Sequence, residues 1–239
     1  MNLLIIQARM GSTRLPGKVL RNLNNKPILK NLIDRIQSAK KVDKIVVATT
    51  LNTEDDAIDK YCHENGIPVS RGSDWDVLDR FYKAALPFHP TNVIRVTSDC
   101  PLNHHEVVDF VVNEFEKSGK DYFSNSNHEP DFLEDGFDVE VFNFSALETA
   151  WKEAKLVSER EHVTPYIKNS GKFSCGWKKF SNEYNFKLSV DSPNDFSAVE
   201  CIFKELKNIT DFGMKDVIQL LKRKPEILKL NAESEINSG

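Results

Sequence analysis

Apolar residues along this chain follow two rhythms. The unbroken aliphatic run at residues 3–6 is too brief for a globular helix and reads as a strand buried on both faces, the habit of parallel sheets, and residues 44–49 and 92–97 read as further strands. Between them, apolar residues recur every three or four positions. Residues 27–39 place Ile28, Leu29, Leu32, Ile33 and Ile36 on one helical stripe. Thr53 and Asp56 read as a capping box for a helix ending near Gly66, with Ile58, Tyr61 and Cys62 inward. A short strand is expected at 67–69. Ser73 and Asp76 then cap a third helix, with Val77, Leu78, Phe81 and Tyr82 inward, ending at Pro87. Asn103 with Glu106 forms a capping box for a helix starting near His104, and Ser158 with Glu161 forms another. Residues 172–177 and 184–190 read as strands. Ser192, Pro193 and Asp195 open a helix carrying Phe196, Val199, Ile202 and Phe203. Residues 214–230 read as helix, broken at Pro225.

Strands separated by single helices imply right-handed crossovers and a parallel sheet. The expected fold is therefore α/β and Rossmann-like, a mostly parallel sheet flanked by helices, with ligands at the carboxyl ends of the strands. The 239 residues are read as one domain over 1–230 and a polar, frayed tail over 231–239.

Composition narrows the function classes. A net charge of −4 suggests no nucleic-acid or membrane partner, so an anionic ligand must be met by local cations. Cys62, Cys100, Cys175 and Cys201 are widely spaced and fit reduced thiols of a cytoplasmic protein. The first apolar run has no charged lead-in and passes straight into a polar loop, unlike a signal peptide, and no run approaches a membrane span.

That loop, Gln7 to Lys18, concentrates the chemistry. It carries two glycines, a proline and two hydroxyls among Arg9, Arg14 and Lys18, cations that repel one another without an anion between them. A buried strand delivering such a loop is a usual way to hold polyphosphate. It is neither a Walker A loop, since Ser12 and Val19 stand at diagnostic positions, nor a G-x-G-x-x-G dinucleotide loop. Asp99 follows the strand at 92–97 and has no capping duty, because Asn103 is better placed for it. Asp191 precedes the Ser192 cap and is likewise without one, whereas Asp195 is structural. In the stretch from Gly136 to Phe142, alternation sets Phe137, Val139 and Val141 on one face and Asp138 and Glu140 on the other. A solvated strand face and a polar binding site explain that pair equally well.

The string QARMGSTRLPGK, with VTSDCPL, DGFDVEV, REHVTPY and VDSP in order behind it, resembles the CMP-sugar synthetase superfamily, which includes the CMP-Kdo and CMP-sialate synthetases. It is most similar to the branch named after the spore-coat polysaccharide protein SpsF. The resemblance implies the nucleotide-diphospho-sugar transferase type of fold. It also implies a cytidylyltransferase that couples CTP to a sugar, often a 2-keto-3-deoxy sugar acid, giving a CMP-sugar and pyrophosphate for surface polysaccharide. Carried onto this chain, it places Ala8, Arg9, Gly11, Ser12, Arg14 and Lys18 on the nucleotide phosphates, with Arg71 towards the base. Asp99 and Asp191 become Mg²⁺ ligands, and Arg9, Arg14, Lys18 and Asp99 the catalytic set. Asp138, Glu140, Arg160 and His162 border the sugar. It further implies a homodimer, for which the segment 122–135, with Phe123, Phe132 and Leu133, is the expected patch. The acidic pair departs from the CMP-Kdo synthetases, so the acceptor need not be Kdo. Rival readings are transfer to a phosphate-bearing acceptor, glycosyl transfer, or a non-catalytic nucleotide-binding subunit.

Overall fold

A computed structural model of the chain describes residues 1–127 and 134–232. The first strand, β1 (Asn2–Gln7), is followed by a loop and a small hairpin of β2 (Asn22–Leu23) and β3 (Lys26–Pro27). Then come α1 (Ile28–Ile36), β4 (Lys44–Thr50), α2 (Asp56–Glu64), β5 (Val69–Gly72), α3 (Val77–Ala85), β6 (Asn92–Thr97) and α4 (His105–Ser118). The second half holds β7 (Tyr122–Ser124), β8 (Glu140–Asn143), α5 (Phe144–Glu153), α6 (Val157–His162), α7 (Pro165–Asn169), β9 (Cys175–Trp177), α8 (Pro193–Glu205) and α9 (Met214–Arg223). A 3-10 turn, Pro225–Asn231, follows α9, with Pro225 at the break expected from the sequence.

Among the described residues the main sheet has the order β5-β4-β1-β6-β8-β7-β9. The strand β1 lies parallel to both β4 and β6, so Leu3, Leu4, Ile5 and Ile6 are all fully buried. Their side chains alternate between two cores. Leu4 and Ile6 pack with α1, α4, α8 and α9, while Leu3 and Ile5 pack with α3 and α5. The strand β8 runs antiparallel to β6 and β7, which makes the sheet mostly, not wholly, parallel. Gln7 pairs with Thr97 and Arg95 with Glu140, so the loops after β1 and β6 and the start of β8 share one edge.

Several local expectations give way to longer-range contacts. Thr53 opens a 3-10 turn rather than a capped helix. Asn103 does not cap α4: its Oδ1 accepts from His104 N at 2.8 Å and its amide reaches Asp138 O at 3.1 Å. Glu159, not Glu161, closes the start of α6, accepting from the amides of Lys155 and Leu156. Residues 184–190 join no ladder. Their amides go to a side chain, with Leu188 N and Ser189 N both donating to Asp135 Oδ1 at 3.0 and 2.7 Å. Tyr122 and Phe123 are buried in the sheet and form no exposed patch, while Phe132 and Leu133 lie outside the described residues. Asn231, the first residue of the expected tail, is buried and donates to Lys187 O at 2.9 Å; 233–239 lie outside the described residues.

Candidate active site

The loop after β1 is shaped by a buried acid. Asp55 accepts from Met10 N at 2.6 Å and from the Thr50 hydroxyl, pinning the loop beside the end of β4. The Met10 carbonyl then accepts from Ser12 N and Gly17 N at 2.8 and 2.9 Å, and Gly17 takes the φ of +69° that the return requires. At Gly11 a Cβ would lie 2.8 Å from Glu54 Oε1. The result is an exposed cationic rim, with Arg9 paired to Asp74 at 3.3 Å and Arg14 set 3.6 Å from Asp191.

Lys18 is different, for it is 8% exposed. Its Nζ donates to Val190 O at 2.7 Å, Asp191 Oδ1 at 3.0 Å and Asp99 Oδ2 at 3.1 Å. Burial opposes the charge, but Asp99 and Asp191 outweigh it and hold the lysine above its ordinary pKa. Asp99 in turn, despite its burial, is held below the ordinary aspartate value by Lys18 and the Thr97 hydroxyl. Asp191 meets three cations, Arg14, Lys18 and Lys187 at 3.5 Å. Asp195 is a capping residue, fully buried, accepting from the amides of Asp191 and Ser192 and pairing with Lys187 at 3.2 Å.

Two chambers meet at this cluster. The larger, about 610 Å³, is lined by Ala8, Arg9, Gly11, Ser12, Arg14 and Lys18 of the loop and by Trp75 and Arg80 opposite. The smaller, about 230 Å³, is lined by Asp135, Asp138, Glu140 and Lys168 among others. Arg95, Thr97, Asp99, His162 and Asp191 line both. Two carboxylates that converge on one cationic atom, beside space for further oxygens, are a donor set that fits Mg²⁺.

The two acids of the smaller chamber differ in state. Glu140 is 8% exposed and accepts from Tyr122 and Thr164 hydroxyls at 2.6 and 2.7 Å and from Arg95. Its burial is more than offset by Arg95 and Lys168, which bring its pKa to about 2. Asp138 goes the other way, raised to about 7 by burial and by the neighbouring Asp135.

Two residues marked in the sequence stand elsewhere. Arg71 lines neither chamber, since it donates to Thr50 O and Asn52 O at 2.8 and 3.0 Å and pairs with Asp56 at 2.7 Å. Arg160 grips Asp76 with Nε and Nη2 and reaches Trp151 O at 2.7 Å, which ties α6 to the start of α3. The cations present instead are Arg80 and Arg95. Arg80 is 2% exposed, its Nε has no hydrogen-bond partner, and burial together with Arg9 lowers it to about 10. Its position three residues after Val77, on the inward stripe, was a readable signal. Arg95, which reaches Gln7 Oε1 at 3.1 Å, was likewise visible as the one charge inside an apolar strand.

A cytidylyltransferase family model matches residues 3–223. The chain belongs to the cytidylyltransferase family. Among curated relatives it is 34% identical to the spore coat polysaccharide biosynthesis protein SpsF of Bacillus subtilis, over 94% of this chain and 95% of that one. It is 38% identical to an uncharacterised protein of Methanocaldococcus jannaschii over 95% and 93% of the two chains. A cytidylyltransferase structure from Leptospira borgpetersenii superposes with a TM-score of 0.87 at 28% identity, covering 100% and 99%. The structure of a CMP-Kdo synthetase complexed with CTP shares the fold at a TM-score of 0.62 and 15% identity, covering 85% and 98%. The cytidylyltransferase is thus a nucleotidyltransferase with the Rossmann-like sheet expected from its sequence, and the resemblance to SpsF is borne out over nearly the whole chain.

Proposed function

We propose that this cytidylyltransferase couples CTP to a hydroxyl of a small sugar, giving a CMP-sugar and pyrophosphate for polysaccharide biosynthesis. The observation that carries the reading is the junction of two unlike chambers at Lys18, Asp99 and Asp191. The cationic larger chamber suits a triphosphate, with Arg9, Arg14, Lys18 and Arg80 facing the phosphates beside the backbone at Ala8, Gly11 and Ser12. The acidic smaller chamber suits hydroxyl and amino groups of the acceptor, with Asp138 and Glu140 on its wall, and His162, which also lines it, would meet a sugar acid's carboxylate.

In this arrangement the acceptor hydroxyl attacks the α-phosphorus from the smaller chamber and pyrophosphate departs along the larger one. The oxygen–phosphorus bond to the sugar forms as the bond to the β-phosphate oxygen breaks, and the hydroxyl proton is released. Such a transfer depends mainly on positioning and charge neutralisation. Asp99 and Asp191 would hold Mg²⁺, which neutralises charge on the α-phosphate. Lys18 keeps Asp99 ionised and the pair together. Asp138, with its pKa near 7, is placed to accept the acceptor's proton. A phosphate-bearing acceptor is disfavoured, because Arg95 and Lys168 in the smaller chamber already face Glu140.

The test is pyrophosphate release from the purified chain with Mg²⁺, over four nucleoside triphosphates and a panel of sugar acids and amino sugars. CTP should support release and also raise the melting temperature more than ATP, GTP or UTP. An equal response to all four reduces the claim to generic triphosphate binding. The proposal includes a homodimer, for which light scattering should give twice the single-chain mass at micromolar concentration.

A further inference from the structure

Away from both chambers, the loop that leaves Asp99 ends in two adjacent histidines. His104 Nε2 lies 3.0 Å from Asp211 Oδ1, and His105 Nε2 lies 2.9 Å from Asp211 Oδ2. Asp211 belongs to the connection between α8 and α9, so the contact joins distant parts of the chain. The two rings sit 4.1 Å apart, and one ligand atom from each of the three residues lies within 4.8 Å of the others. His104 is 2% exposed, yet its Nδ1 has no hydrogen-bond partner. Glu106 Oε2 is 3.8 Å from that atom, beyond hydrogen-bond range. A buried polar atom is costly to leave in that state, and nucleotidyl transfer makes no use of it.

We propose that His104, His105 and Asp211 form a binding site for a borderline divalent cation of the zinc class. Two imidazoles and one carboxylate suit zinc, cobalt or nickel, whereas magnesium and calcium prefer oxygen alone. The orphaned nitrogen supplies independent support. While the Nε2 proton of His104 points at Asp211, Nδ1 is a buried lone pair facing a carboxylate, acceptor against acceptor. With a cation on Nε2 the ring proton moves to Nδ1, on the side of Glu106. A small rotation of that exposed side chain would close the 3.8 Å gap and let the ligating histidine donate to an outer carboxylate, a recurrent support for metal-bound imidazole. Asp211 and Glu106 are more than half exposed, leaving a path from solvent and a fourth position for water.

Arg35 opposes the cation, since its guanidinium is fixed on Phe212 O, next to Asp211, at 2.7 Å. Affinity is therefore micromolar and not that of a closed four-ligand site. The bound ion would fasten the start of α4 to the α8–α9 connection. Through Asn103, whose amide holds Asp138 O, it would also steady the loop descending from Asp99.

The full chain, stripped of metal, is titrated with zinc chloride by calorimetry and with cobalt chloride by visible absorption. One zinc should bind per chain with a micromolar Kd and raise the melting temperature, and cobalt should give the visible bands of a four-coordinate ion. His105→Ala and Asp211→Asn should each weaken binding by about 10-fold or more, and Glu106→Ala by about 10-fold. Asp99→Asn should leave it intact, which separates this site from the catalytic pair. Asp211 is largely exposed, so Asp211→Asn keeps the fold, as circular dichroism will show. Absence of saturable binding at micromolar zinc overturns the proposal, as does unchanged affinity in both His105→Ala and Asp211→Asn.

Discussion

A lysine in a glycine-containing cationic loop reads as exposed, yet Lys18 is buried between two carboxylates. Its removal should therefore act on the fold as well as on the chemistry. Lys18→Ala removes the cation between Asp99 and Asp191, leaving Asp191 to Arg14 and Lys187, and should lose about 3 kcal/mol in urea unfolding. Millimolar Mg²⁺ should restore part of that loss if the same pair accepts a metal. Arg14→Ala, at a half-exposed site, should stay within about 0.5 kcal/mol of the parent while weakening CTP binding by about 1.5–3 kcal/mol. Equal destabilisation by both changes would contradict the burial difference. Asp99→Asn and Asp191→Asn should lower turnover by similar factors, and the double variant should be hardly worse than either, as expected of residues acting as one unit. Asp195→Asn is the contrast. It breaks a buried cap and one partner of Lys187, so it should cost about 3 kcal/mol while sparing turnover in the folded fraction.

At the scale of elements, the segment 184–190 shows how the site is assembled without a ladder. Asp135 takes its amides at Leu188 and Ser189, and Asp99 O takes Val190 N at 2.8 Å. The two metal-pair aspartates are thus held by their own backbone neighbours. Gly136 makes the close approach possible. Its φ is +91°, and a Cβ there would stand 2.7 Å from the carbonyl carbon of Leu188. Gly136→Ala combines backbone strain with that clash, and should cost at least about 2 kcal/mol while raising KM for the sugar more than for CTP. A normal melting temperature with unchanged KM values would show that the turn and the segment yield independently.

Over the whole molecule, the two acids Glu140 and Asp138 give opposite pH dependences in separate windows. Glu140 has a folded pKa of about 2, below its ordinary 4.5. Its contribution is present above that ordinary value and is lost as pH falls through about 2. Asp138 keeps its proton in the folded state up to about 7, while the unfolded chain releases it near 3.8. Stability from this group therefore falls as pH rises from about 4 to about 7, by up to about 1.4 kcal/mol per unit. Asp138→Asn should flatten that slope, so that urea midpoints at pH 5 and pH 8 converge and the variant gains on the parent at pH 8. A parent whose stability is level across that window would remove the basis for an acid with a pKa near 7.

What the amino-acid order settled is what depends on near neighbours. The buried run in β1, the strand at 92–97, the Ser192–Pro193–Asp195 cap and the clustering of Arg9, Arg14 and Lys18 each rest on spacing within a few residues, and each stands in the fold. The separation of Asp191 from Asp195 was legible for the same reason, since cap geometry is local. Which cation faces a chamber was legible only in part. The inward positions of Arg80 and Arg95 are local signals, but what the folded chain brings opposite each arginine is not. Arg71 meets carbonyls of the neighbouring strand end, Arg160 meets Asp76, and Arg80 and Arg95 open on the cavities. Lys18 and Val190 are 172 positions apart, so no window along the chain contains the contact that buries the lysine. Local pattern sets where strands and helices begin, because backbone hydrogen bonding and apolar periodicity are short-ranged. The charge state and partners of a side chain are set by desolvation and by Coulomb neighbours, which only the packed sheet and its crossing loops bring together.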